Sequence, residues 1–192
     1  MKFNRINMTI PNLLSFYRLI TFPIVLIIAV LGYETAFVIL LVINLFTDIL
    51  DGLLARLLNQ QSEFGARLDS IADLGTYILA ITGIFIFKME DFIPHMISFG
   101  LFLSLFVFTH LLSLIKFGKL PSLHLYSWKI GGYIQGSFFF VLFIFGFHTF
   151  FYYFMLCWGI ISFLEHIIIQ LMISEMKPNQ KGLYWVINSK SK

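Results

Sequence analysis

Six runs of about 20 mostly apolar residues, joined by brief polar connections, limit what this chain can fold into. A helix crossing the hydrocarbon of a bilayer needs about that length. The runs lie at Asn12 to Leu31, Thr35 to Asn59, Asp69 to Phe87, Ile93 to Ile115, Trp128 to Phe147 and Thr149 to Ile173. Of the 192 residues, 59% are hydrophobic and 12% charged, against about 25% charged in soluble domains. The expectation is an all-α, polytopic membrane protein with six transmembrane helices. It reads as one domain over 1–192, with an N-terminal segment (1–11), a six-helix bundle (12–173) and a basic tail (174–192). Lys2 and Arg5 precede the first run as they would in a signal peptide. That run is too long for a cleaved apolar region and no A-x-A site follows it, so a retained first helix is expected.

Six spans put both termini on one side. Lys2, Arg5, Arg18, Arg56, Arg67, Lys116, Lys119, Lys129, Lys177, Lys181, Lys190 and Lys192 fall toward that side, and Lys88 lies opposite, beside Glu90 and Asp91 and across from Glu34. The positive-inside rule then makes both termini cytoplasmic, together with the connection between the second and third helices. The net charge of +3 is spread along the chain, without the basic stripe that nucleic acid requires. A single cysteine, Cys157, rules out an intrachain disulfide and is expected to be a packed thiol.

Against this background, four carboxylates within 26 residues stand out: Asp48, Asp51, Asp69 and Asp73. An Asp at the centre of a membrane helix costs about 2.5 to 3.5 kcal/mol on insertion scales, so a functional site is the default reading. Residues three, four, seven or eight apart share a helix face. Asp48, Asp51, Gly52, Ala55 and Arg56 follow that rule on the second helix, and Asp69 and Asp73 on the third. A short turn within Leu57 to Arg67 would bring the two acidic faces together. Such an all-oxygen cluster suits a hard cation, Mg²⁺, Mn²⁺ or Ca²⁺, rather than zinc. Two ions between facing helices are the arrangement that clamps a phosphoryl group under attack. Gly52 and Ala55 leave room against the backbone, and Arg56 can pair with phosphate through two hydrogen bonds. The residues alone point to metal-dependent phosphoryl transfer at a membrane surface.

The pattern Asp48-x2-Asp51-Gly52-x2-Ala55-Arg56-x8-Gly65-x3-Asp69-x3-Asp73 resembles the signature of the CDP-alcohol phosphatidyltransferase family, with all eight positions filled. The resemblance implies a CDP-linked lipid donor, usually CDP-diacylglycerol, and attack by an alcohol hydroxyl on the lipid-side phosphorus with release of CMP. It implies Asp48, Asp51, Asp69 and Asp73 as ligands to Mg²⁺ or Mn²⁺, two ions in all, and Asp73 as general base. Asp48, Gly52, Ala55, Arg56, Gly65 and Asp69 would line the CDP site. It also implies a homodimer. The segment Ile10-Pro-Asn-Leu-Leu-Ser-Phe-Tyr-Arg18 looks like the family's common opening.

Outside the motif, Arg18, Lys119 and Lys129 are candidate contacts to a phosphate-bearing acceptor. Arg18 and Lys129 favour glycerol 3-phosphate as acceptor; inositol phosphate, serine, choline or a lipid are the alternatives. Ordinary flanking charge explains Lys116 and Lys119 equally well, and snorkelling would account for Arg18. Tyr126, Trp128 and Tyr133 read as interface aromatics before they read as a choline cage. Glu165 and His166, inside the sixth run, suggest a structural or dimer contact. His95, His110 and His148 suggest packing, His124 a solvated loop residue, and the lysines of the tail a contact with anionic headgroups. Two other classes use Asp-rich helices, an intramembrane prenyltransferase and a non-enzymatic cation transporter. Neither accounts for the Gly, Ala and Arg of the motif.

Overall fold

The computed structural model describes residues 9–119, 121, 125–175 and 181–190. Its helices are α1 (Ile10–Val30), α2 (Glu34–Leu57), α3 (Glu63–Phe87), a short α4 (Met89–Phe92), α5 (Met96–Phe117), α6 (Tyr126–Phe145), α7 (Thr149–Met172) and α8 (Leu183–Lys190), with a 3₁₀ turn at Ile93–His95. No strand occurs among the described residues. Among the described residues, six helical stretches are long and apolar enough to cross a membrane: α1, α2, α3, Met89–Phe117, α6 and α7. The protein is all-helical, as its apolar runs require. His124 and Lys177, along with Lys2 and Arg5, lie outside the described residues.

The chain divides between Glu90 and Asp91 into two compact units. In the first, α1 packs against both α2 and α3, which touch each other less. Its buried face carries Asn12, Ser15 and Arg18 near the start and Val25 and Ala29 further on. Pro11 opens the helix, where its missing N–H costs nothing. Gly32, with φ +80°, makes the left-handed turn into α2. At the same end, the Lys88 ammonium meets the Glu34 carboxylate at 2.8 Å.

Here α3 departs from expectation. It begins at Glu63, six residues before Asp69, so Asp69 lies well inside the helix. Ser62 caps it, its hydroxyl accepting from the Gly65 N–H at 3.0 Å. The charged first turn looks like a loop in a hydropathy reading, although a capped helix end carries charge readily. The turn between α2 and α3 is therefore only residues 58–62, with Asn59 left-handed at φ +52°.

In the second unit, α7 packs against both α5 and α6. Gly118 and Gly146, at φ +67° and +94°, end α5 and α6. The tail also departs from expectation, since residues 183–190 form α8. Val186 of α8 is buried with Leu125, Ile169 and Ile173 in an apolar cluster. Cys157 is exposed, because the buried stripe of α7, from Tyr152 through Gly159 to Gln170, runs along another face.

Candidate active site

The helical spacing read from the sequence places Asp48 and Asp51 on one face of α2 and Asp69 and Asp73 on one face of α3. The structure brings all four carboxylates around one guanidinium from α1. Arg18 Nη1 donates to Asp48 Oδ1 at 2.5 Å and to Asp73 Oδ1 at 2.9 Å. Its Nη2 donates to Asp51 Oδ2 at 2.6 Å and to Asp69 Oδ1 at 2.7 Å. Each terminal nitrogen thus joins one carboxylate of α2 to one of α3. Arg18 Nε has no hydrogen-bond partner among the described residues.

The cluster lies inside the helices rather than at their tips. Arg18 is eight residues into α1 and Asp73 ten into α3, about 12 to 15 Å along the axis at 1.5 Å per residue. The side chain of Asp51 is 4% exposed, while those of Asp48, Asp69 and Asp73 are 40 to 42% exposed. One carboxylate is therefore sealed against α1, and three open on one side. Ser15, one turn before Arg18 on the same buried face, donates its hydroxyl to Asp51 Oδ2 at 2.9 Å.

Ligand atoms of Asp48, Asp51 and Asp69 lie within 4.8 Å of one another. Opposite oxygens of a Mg²⁺ octahedron are about 4.2 Å apart, within reach of small side-chain rotations. Against four negative charges stands one guanidinium, leaving three uncompensated in a partly buried site. Carboxylate oxygen is the donor type that hard divalent cations take. The site fits such an ion on donor chemistry, spacing and charge.

The two motif glycines differ. A Cβ on Gly52 would meet no described atom within 4 Å, so packing within the chain does not demand glycine there. A Cβ on Gly65 would sit 2.5 Å from Asn12 Oδ1. Gly65 thus lets the buried Asn12 of α1 close on the first turn of α3, a packing role beside the CDP-binding role the resemblance implied. Ala55 is half-buried, and Arg56 is exposed in the last turn of α2.

Of the other candidates, Arg18 is spent on the cluster, with both terminal nitrogens engaged. Lys119 and Lys129 are exposed residues of the second unit, just after α5 and in the first turn of α6. Trp128 packs inward, its ring 5.5 Å from Phe163 and 4.6 Å from His166. Glu165 ties helix ends together: it accepts from the Ser127 hydroxyl at the start of α6 and, at 2.9 Å, from the Leu183 N–H that opens α8. Lys116 donates to the carbonyls of Gln170 and Leu171 at 2.7 and 3.1 Å, closing the end of α7. His95 and His110 are hydrogen-bonded, to the Tyr153 hydroxyl and the Phe106 carbonyl. His166 is buried, with no hydrogen-bond partner for either ring nitrogen among the described residues.

Sequence reasoning missed Ser15 and Asn12. Their signal was present: Asn12, Ser15 and Arg18 recur every three residues on an otherwise apolar helix, one polar stripe continuous with Val25 and Ala29.

The family model for CDP-alcohol phosphatidyltransferases matches residues 8–172. The chain is 34% identical to a CDP-diacylglycerol–glycerol-3-phosphate 3-phosphatidyltransferase of Aquifex aeolicus, over 55% of this chain and 75% of that protein. It is 37% identical to a protein of the same description from Cereibacter sphaeroides, over 39% of this chain and 36% of the relative. Another from Pseudomonas fluorescens is 41% identical, over 34% and 35%. The chain thus spans about a third of the length of the latter two. No solved structure matches.

Proposed function

The chain belongs to the CDP-alcohol phosphatidyltransferase family, and on that premise we propose that it makes phosphatidylglycerol phosphate from CDP-diacylglycerol and glycerol 3-phosphate, with release of CMP. The observation that carries this reading is the convergence of Asp48, Asp51, Asp69 and Asp73 on Arg18, beside an open helix face at Gly52. The acceptor is inferred from the description shared by the relatives above.

Asp48, Asp51, Asp69 and Asp73 would hold two divalent ions, Mg²⁺ or Mn²⁺. Bound there, such ions offset the charge of a diphosphate and polarise its phosphoryl oxygens. The residues of the chain do the rest. The missing side chain at Gly52 and the small one at Ala55 let the nucleotide lie against α2, where the exposed Arg56 can pair with phosphate oxygens. Asp73, open on one side, takes the proton of the acceptor hydroxyl as that oxygen bonds to the lipid-side phosphorus. The bond from that phosphorus to the CMP oxygen breaks, and CMP departs with the electron pair. The apolar helices hold the diacylglycerol moiety at bilayer depth, and the asymmetry of Lys and Arg supports a cytoplasmic site with both termini on the same side. The protein works as a homodimer.

The test is purified protein in mixed micelles with labelled CDP-diacylglycerol, Mg²⁺ or Mn²⁺, and a panel of acceptors. CMP and a phosphorylated lipid are expected with glycerol 3-phosphate, and neither after chelation by EDTA. Product with serine, inositol phosphate, choline or a lipid alcohol in place of glycerol 3-phosphate would reassign the acceptor. Absence of CMP with every acceptor would overturn the reading. A cation transporter would show no response to cytidine nucleotides at all.

A further inference from the structure

We propose that Arg18 is the built-in counter-cation of the carboxylate cluster: it holds the acidic faces of α2 and α3 in register and competes with divalent ions for the same carboxylates. The inference rests on the proposed function only so far as the cluster takes divalent ions.

Four observations support it. The guanidinium bonds to all four aspartates at 2.5 to 2.9 Å, with each terminal nitrogen bridging α2 to α3. Its side chain is 1% exposed, so it has no solvent to turn to while it stays in the cluster. Its terminal nitrogens are occupied, which leaves no geometry for a phosphate fork to an acceptor. Its charge has the sign of an ion bound by the same carboxylates. At such range in a partly buried site, that repulsion is hardly screened by salt. A residue meant only to grip substrate would not spend its donors this way. Without a counter-cation, bringing four acids together in an apolar three-helix unit would be costly as the chain folds. With one, the cluster is assembled in advance and its affinity for divalent ions is held down.

The experiment uses the full chain in detergent and reads Mn²⁺ binding by the electron paramagnetic resonance signal of the free ion, with no substrate present. Arg18→Met is expected to bind Mn²⁺ with a midpoint about tenfold lower than the wild type. Arg18→Lys keeps the charge and loses the double bridge, and its midpoint should stay within about twofold of wild type. In EDTA, Arg18→Met should melt at least about 5 °C below wild type, and saturating Mn²⁺ should close that gap. A role limited to packing would lower the melting temperature without tightening Mn²⁺ binding. An unchanged or weaker midpoint in a cooperatively melting Arg18→Met protein would overturn the proposal. So would failure of that variant to fold even with Mn²⁺, since the ions could not then stand in for the guanidinium. Wild-type protein that binds Mn²⁺ but releases no CMP would break the transferase reading alone. Wild-type turnover with an unmoved Arg18→Met midpoint would break this inference alone.

Discussion

Helices α1 and α7 have similar architectural positions, α1 packing against α2 and α3 and α7 chiefly against α5 and α6, yet they differ in how they bury polarity. On α7 and its neighbours, the charged side chains find local partners, although neither ring nitrogen of His166 has one among the described residues. Glu165 accepts from Ser127 and from the Leu183 N–H, and Lys116 closes the carbonyls of Gln170 and Leu171. Against α1 the matching is incomplete by design, with four carboxylates for one guanidinium. The difference teaches that burial of a charge does not mark chemistry by itself. Glu165 and Asp51 are both acids in apolar helices; Glu165 is satisfied by neutral donors at two helix ends, whereas Asp51 shares one guanidinium with three other acids. Matched polarity holds helix ends together; an excess of negative charge attracts cations, and through them a phosphate.

The most severe way to break this contrast is to substitute an acid in each unit. Asp73→Asn should lower CMP release by a factor of about 10² to 10⁴ while the protein still purifies and melts cooperatively. Near-normal turnover would remove Asp73 from the chemistry. The glycines sharpen the contrast within the first unit. Gly65→Ala drives a methyl into Asn12 Oδ1 and should cost about 1–3 kcal/mol, read as a lower melting temperature. Gly52→Ala meets no described atom, so stability should hold or rise by about 0.5–1 kcal/mol. The half-saturating concentration of CDP-diacylglycerol should meanwhile rise about tenfold. Loss of stability at Gly52 would assign that glycine to packing after all. The smallest effect belongs to the second unit. Glu165→Gln keeps an acceptor but loses its charge, and should cost about 1 kcal/mol with turnover per folded molecule unchanged. A large fall in turnover would make Glu165 part of the chemistry and end the distinction.

How far the sequence discloses this molecule follows from which forces act over short range. The six spans were legible because hydrocarbon length sets a demand that local composition must meet. The four aspartates were legible because a helical period converts spacing into a shared face. The start of α3 was not, because Glu63 and Arg67 lower the hydropathy of a turn that Ser62 nonetheless caps. Ser15 and Asn12 were missed because their partners, Asp51 and the first turn of α3, come from other helices. The eight residues of α8 carry too little periodicity to announce a helix, and its anchor, Glu165, is 18 residues from the Leu183 amide it holds. The partner of Arg18 was open for the same reason. Its position suggested the site, but only the packing of α1 against both α2 and α3 assigned it all four acids.

The turn at residues 58–62 has a consequence for how such a chain can vary. Between Arg56 and Gly65 lie the last residue of α2, five turn residues and the first two of α3. Each residue added to the helical part of that spacer would swing Asp69 and Asp73 about 100° around the axis and slide them about 1.5 Å along it. The spacer is a gauge, setting the phase of one acidic face against the other. Deletions or insertions there should therefore be more damaging than exchanges of its side chains.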